Sequence, residues 1–225
     1  MEKSDLLSFS VSTLCRGVDV VELDRLLCTV NCRVESYPRG TLVLLAGSRY
    51  DELRLILEGT VSAEMNHPSG KSVVIETIQA PDPIAPAILF APRRALPVTV
   101  TANTDCRLLV LPLETILDLC QRNRRFLINL LSEIGEKLSL FAEKFKLLEF
   151  SSLRARIAAY LHGRLENDRY TLPVSKEKLA EFLSTTRPSL SRELSAMAQD
   201  GIIHVEGRTI RVIDQGRFKG LLNSL

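Results

Sequence analysis

Seven apolar residues, Leu127, Leu131, Ile134, Leu138, Phe141, Phe145 and Leu148, follow one another in steps of 4, 3, 4, 3, 4 and 3 with no proline between them. Such a heptad pattern restricts the segment to one long helix carrying an apolar seam. The seam has two possible destinations: the same helix of a second chain, in either orientation, or the helix's own domain. Phe126 and Leu130 widen the stripe enough to serve both. A seam this regular suits symmetric pairing, so self-association through these seven residues is the expectation.

The segment before the seam has a different texture. From about residue 31 to 111, short apolar stretches alternate with glycine, proline and asparagine. Val43-Leu44-Leu45, Leu53 to Leu57, Val73 to Ile78, Val98-Thr99-Val100 and Leu108 to Leu111 are strand-length, and Pro68-Ser69-Gly70 reads as a hairpin turn. Many short strands at this spacing predict an antiparallel roll, barrel or sandwich. Val20 to Cys28 predicts a short helix ahead of it, and Pro112 closes the region. A third texture begins near Ser151, with a helix from Leu153 to Leu165, a polar turn at Asn167-Asp168 and a strand at Tyr170 to Leu172. The fold class expected is α+β: antiparallel strands over an N-terminal part (1–112), a long helical segment for self-association (113–150) and a C-terminal module of short helices and strands (151–225).

Charge sharpens this division. The 225 residues carry 29 Lys plus Arg against 27 Asp plus Glu, a net +2 that by itself argues against a nucleic-acid partner. Residues 151–225 alone hold 12 against 8, a net +4, and residues 1–150 hold 17 against 19, a net −2. A basic module joined to a mildly acidic one is the reading. No apolar run approaches the roughly 18 residues of a membrane span, and residues 1–10 lack the apolar core of a secretory signal. The expectation is a cytoplasmic protein without a membrane partner. Cys15, Cys28, Cys32, Cys106 and Cys120 are odd in number, scattered and without a CxxC pair. That pattern favours free thiols over a disulfide framework, a zinc site or an iron–sulfur cage.

The basic module carries the chemistry. Ser175 is suited to cap a helix over Lys176 to Leu183, Ser184-Thr185-Thr186 allows only a tight turn, and a second helix begins near Arg187-Pro188. Leu190, Leu194 and Met197 form the buried stripe of that helix. Pro188, Ser189, Ser191, Arg192, Ser195 and Gln199 are left pointing outward, with Arg187 at the entrance. Two short helices joined in this way predict a helix-turn-helix, and arginine and hydroxyl groups near the start of the second suit guanine edges and phosphates. Asp200-Gly201 then turns the chain into a hairpin around Glu206-Gly207-Arg208, a wing whose Arg208 is placed to meet a phosphate. No GxSxG, HExxH or P-loop pattern is present, so an enzyme is not expected.

Thr-Thr-Arg-Pro-Ser-Leu-Ser-Arg-Glu-Leu at 185–194 and Glu-Gly-Arg-Thr-Ile at 206–210 resemble the winged helix of the CRP/FNR transcription regulators. Tyr37-Pro38-Arg39-Gly40-Thr41 and Leu57-Glu58-Gly59-Thr60-Val61 are similar to that family's cyclic-nucleotide-type β-roll. The resemblance covers roughly residues 20–215 in order. It implies a homodimer on double-stranded palindromic DNA, with contacts at Arg187, Ser189, Ser191 and Arg192, a phosphate contact at Ser175, and RNA polymerase as a partner. Pro188 replaces a base-reading glutamate found in many members, which implies a different operator. Ser184 replaces a frequent turn glycine.

For the effector, the resemblance implies a pocket near Ala85, Pro86, Leu96 and Pro97. The glutamate and arginine that hold ribose and phosphate in cyclic-nucleotide binders have no counterpart there, and Arg93-Arg94 fall in an earlier loop. A buried cyclic phosphate would lack a cationic partner, so an effector other than cyclic AMP is expected. The closely spaced N-terminal cysteines of an FNR-type cluster are also missing. Pro97-Val98-Thr99-Val100 is similar to regulators of nitrosative-stress genes, which leaves a haem- or thiol-based sensor as the alternative, with His67 as the haem-ligand candidate.

Overall fold

The computed structural model describes residues 2–66 and 72–223. His67 and the Pro68-Ser69-Gly70 turn lie outside the described residues. The chain forms two compact units, Met1–Lys137 and Leu138–Leu225.

The first unit opens with helices α1 (Lys3–Ser10) and α2 (Val20–Cys28). Asp19 caps α2 by accepting the amides of Val21 and Glu22, and its apolar face buries Leu23 and Leu27. Eight strands follow among the described residues: β1 (Arg33–Tyr37), β2 (Leu42–Leu44), β3 (Glu52–Glu58), β4 (Thr60–Asn66), β5 (Ser72–Gln79), β6 (Pro83–Ile84), β7 (Thr99–Ala102) and β8 (Cys106–Pro112). They pair antiparallel in two sheets, ordered β1-β8-β3-β6 and β2-β7-β4-β5. Both sheets contribute to one core, with Leu53, Leu55, Ile56, Val61, Val100, Leu108 and Leu109 fully buried. Tyr50 lies among them, its hydroxyl donating to Ile84 O at 2.6 Å and accepting Arg54 N–H at 3.1 Å, so the buried phenol is satisfied at both lone pair and proton.

Gly59 joins β3 to β4 at φ +91°, and a Cβ there would clash with the carbonyl oxygen of Asp105. Only glycine fits this position.

β1, β4 and α1 are not among the elements expected from sequence. Arg33-Val34-Glu35-Ser36-Tyr37 and Thr60-Val61-Ser62-Ala63-Glu64 alternate in character, but polar residues dilute both below the apolar runs that mark the other strands. The helical stretch after Pro112 is also two helices, α3 (Leu113–Arg122) and α4 (Arg124–Leu148). Asn123 separates them: its side-chain oxygen accepts Phe126 N–H at 2.9 Å, and its amide donates to Glu22 at 2.7 Å.

The second unit contains α5 (Leu153–His162), β9 (Arg169–Thr171), α6 (Lys176–Phe182), α7 (Arg187–Gln199), β10 (Ile203–Glu206), β11 (Thr209–Val212) and α8 (Gln215–Gly220). Its sheet is antiparallel with order β10-β11-β9. Ile157, Leu161, Leu179, Leu190, Leu194, Met197, Ile203, Ile210 and Phe218 form its core. The architecture is the expected α+β one, an antiparallel β-roll, a long helix and a winged helix-turn-helix.

Candidate nucleic-acid interface

The second unit builds its exposed face from caps and clamps. Ser175 Oγ accepts Lys178 N–H at 3.2 Å at the start of α6. Ser184, the residue in place of the frequent glycine, takes the left-handed conformation at φ +52°. Thr186 caps α7: its Oγ accepts Ser189 N–H at 3.3 Å and donates to Ser189 Oγ at 2.9 Å. Arg192 then donates to Ser189 Oγ at 3.2 Å, so the guanidinium lies along the first turn of the helix instead of swinging freely. Arg187, Arg192, Ser195 and Gln199 are exposed, Ser189 and Ser191 half-buried, while Leu190, Leu194 and Met197 are buried. One helix thus turns an apolar stripe inward and an arginine–hydroxyl face outward, with the positive end of its dipole at Arg187.

Two residues that sequence reading missed brace the helix-turn-helix, one at α7 and one at the end of α6. Arg154 on α5 bridges Glu193 at 2.6 Å and Asp200 at 2.7 Å, reaching the middle and the end of α7. The hydrogen bonds to Glu193 and Asp200 raise the pKa of its guanidinium. Arg156 donates to Leu183 O at 2.7 Å, satisfying the carbonyl that ends α6 at the turn. Neither contact has a local sequence signal, because both partners lie far along the chain. On the wing, Gly207 has φ +58°, and Arg208, exposed at the tip, donates Nε to Leu172 O at 3.0 Å.

The heptad residues divide by face. Phe126 and Leu130 are buried in the first core and Ile134 packs against it. Leu127, Leu131, Leu138, Phe141, Phe145 and Leu148 are exposed. The two destinations of the stripe are therefore two adjacent faces of α4.

In the roll, Leu96 is buried in the core, Pro86 is buried, Ala85 packs against the core at φ +44°, and Pro97 is exposed. Arg94 is committed to Asp51 at 2.8 Å, a carboxylate it shares with Arg49. All five cysteines are free. Burial raises the Cys15 thiol to about 12 and the Cys120 thiol to about 11, so neither supplies a thiolate near neutrality. Among the described residues no cluster of His, Cys, Asp and Glu has metal-binding form, and no helix is long and apolar enough to cross a membrane.

A capped helix-turn-helix with a wing, following a β-roll and a long helix, defines a class of gene regulator by its fold. Two family models match the chain: a cyclic nucleotide-binding domain over residues 34–123 and a Crp-like helix-turn-helix domain over residues 155–221. The cAMP-activated global transcriptional regulator CRP of Salmonella typhimurium is 23% identical over 189 residues, spanning 81% of this chain and 90% of that one. The catabolite activator protein of Thermus thermophilus superposes with a TM-score of 0.55 at 22% identity, covering 93% of this chain and 98% of that structure. The c-di-GMP-responsive global regulator CLP of Xanthomonas campestris superposes at 0.56 and 22% identity, covering 88% and 100%. The chain belongs to the CRP/FNR superfamily of transcription regulators.

Proposed function

We propose that this chain is a homodimeric, sequence-specific regulator that reads a palindromic DNA site under the control of a small effector other than cyclic AMP. The observation that carries the reading is α7: its apolar stripe is buried while Arg187, Arg192 and their neighbouring serines face outward at its N-terminal end. Arg192 is assigned to a guanine edge, Arg187, Ser189 and Ser191 to bases or adjoining phosphates, and Ser175 and Arg208 to phosphates. The exposed seam of α4 joins two protomers, which sets the recognition helices about 34 Å apart, one turn of the duplex. Residues 1–112 sense, 113–150 dimerise and 151–225 read. RNA polymerase is the further partner the family implies, and the cytoplasm, where the DNA is, is the location.

Arg94's commitment to Asp51 supports the exclusion of cyclic AMP, since this guanidinium is already paired with a carboxylate. The names of the relatives agree that one fold serves different effectors, cAMP in one and c-di-GMP in another. Effector binding then acts by shifting the dimer between geometries that match or miss the groove spacing.

Selection of bound duplexes from a random pool, with and without a metabolite extract, tests the reading. Enrichment of a two-fold-symmetric sequence is expected. Failure to enrich one under either condition refutes it. Calorimetric titration with cyclic AMP is expected to give no binding heat, and saturable micromolar binding would overturn the effector assignment.

A further inference from the structure

The outer face of the β10-β11-β9 sheet carries a row of two arginines and a histidine. In the register of the sheet, His204 lies directly opposite Arg211, and Arg211 lies directly opposite Arg169. Directly opposed residues of antiparallel strands project to the same face, so the three side chains stand side by side across all three strands. All three are exposed, and among the described residues none forms an ion pair. The opposite face is the core side, where Ile203, Ile210 and Val212 are buried and Tyr170 and Val205 pack on them.

The next row toward the wing tip is Glu206, Thr209 and Thr171. The two threonine hydroxyls touch at 3.0 Å. Two carboxylates share this face: Glu206 at its β10 edge, two residues from His204, and Glu166, directly opposite Arg169 beyond the β9 edge. The sheet thus displays two guanidinium groups, an imidazole and two hydroxyls, ending at Arg208 on the tip. Like charges placed directly opposite one another destabilise a bare sheet, and a polyanion laid along the row reverses the sign of that interaction.

We infer that this row is a second phosphate-binding surface, which takes the backbone of duplex DNA independently of base sequence. The inference rests on the DNA-reading function proposed above and adds a contact that helix α7 and the wing tip do not make. Arginine and threonine are donors suited to phosphate oxygens, and a row across three strands follows a backbone, whereas base edges require a helix or ribbon inside a groove. Its role is to add affinity and salt dependence without adding specificity.

The test is the salt dependence of binding by the full chain, measured by anisotropy on a duplex of random sequence and on a duplex recovered by the selection. In the R169Q/R211Q variant, the slope of log affinity against log salt is expected to be shallower by about 0.9 for each phosphate no longer neutralised, equally on both duplexes. The preferred sequence is expected to stay the same. Both residues are exposed, and an unchanged circular dichroism melt checks the fold. A T171V/T209V variant is expected to weaken binding while keeping the parental slope, because hydroxyls displace no counterions. A parental slope in R169Q/R211Q on both duplexes overturns this inference and leaves the recognition helix untouched. If that variant keeps its DNA slope but loses salt-sensitive retention on immobilised polyglutamate, the row belongs to an acidic protein and the inference is equally overturned. A parent that binds neither duplex overturns both readings.

Discussion

Replacing Leu138 by alanine separates the two faces of α4, because this side chain is 69% exposed in the single chain and contributes little to its packing. The substitution removes three carbons, worth about 2.4 kcal/mol when buried completely at about 0.8 kcal/mol each. Since 69% of the residue is still open, burial in a seam has about 1.7 kcal/mol to gain per chain. A symmetric dimer contains the position twice, so the loss is about 3.3 kcal/mol, or roughly two hundredfold in the dissociation constant. The cost to the isolated fold is expected to stay within about 0.5 kcal/mol, as for other exposed positions. Sedimentation equilibrium across a concentration series reads the first quantity, and thermal denaturation at concentrations below dissociation reads the second. DNA affinity is expected to fall in parallel, since a monomer meets only one half-site. A dissociation constant within about threefold of the parent would refute the reasoning, because each carbon buried in a seam carries a measurable transfer free energy. A parent that sediments as a monomer would refute the seam itself.

Arg192→Ala is expected to cost about 1–3 kcal/mol of specific DNA affinity and to relax preference at one base pair of each half-site, without changing the melt. Selection with the variant checks this, and an unchanged preference removes Arg192 from the base-reading set. Gly59→Ala is expected to destabilise the roll by more than about 2 kcal/mol, combining left-handed backbone strain with a clash against Asp105 O. Urea unfolding followed by roll-specific hydrogen exchange measures it. The paired hydrogen bonds from Arg33, at 2.6 and 2.7 Å, lower the pKa of the Glu52 carboxyl. A lowered carboxylate stabilises the fold above the unfolded value of about 4.3 and loses that contribution as pH falls through the folded value. Arg33→Gln is therefore expected to be less stable than the parent at neutral pH, with the difference shrinking below about pH 4; a constant gap would exclude the linkage.

Short-range pattern and long-range packing each account for a different part of this protein. The heptad of α4, the buried stripe Leu190-Leu194-Met197, the capping serine at 175 and the Gly207 turn were legible in the sequence because each depends on residues within a few positions of one another. The same is true of the charge split between residues 1–150 and 151–225, which the whole-chain balance concealed. Strands β1 and β4 were harder, since their apolar residues alternate with polar ones and become strand only by pairing with β8 and with β5 and β7. Which face of α4 meets the roll and which stays open was decided by the packing of Phe126 and Leu130, because two adjacent apolar stripes look alike in one dimension.

The clamps of Arg154 on Glu193 and Asp200, and of Arg156 on Leu183 O, join residues 27 to 46 positions apart. Their chemistry gives no local mark. The row His204-Arg211-Arg169 exists only through strand register, which sets three separated residues shoulder to shoulder. The sequence alone determined most of the elements, the apolar stripes of its helices and the sign of each half's charge, because periodicity and composition are local quantities. Only the tertiary structure decided which cations are neutralised by carboxylates and which stay open to a phosphate, because that depends on distances set by the fold.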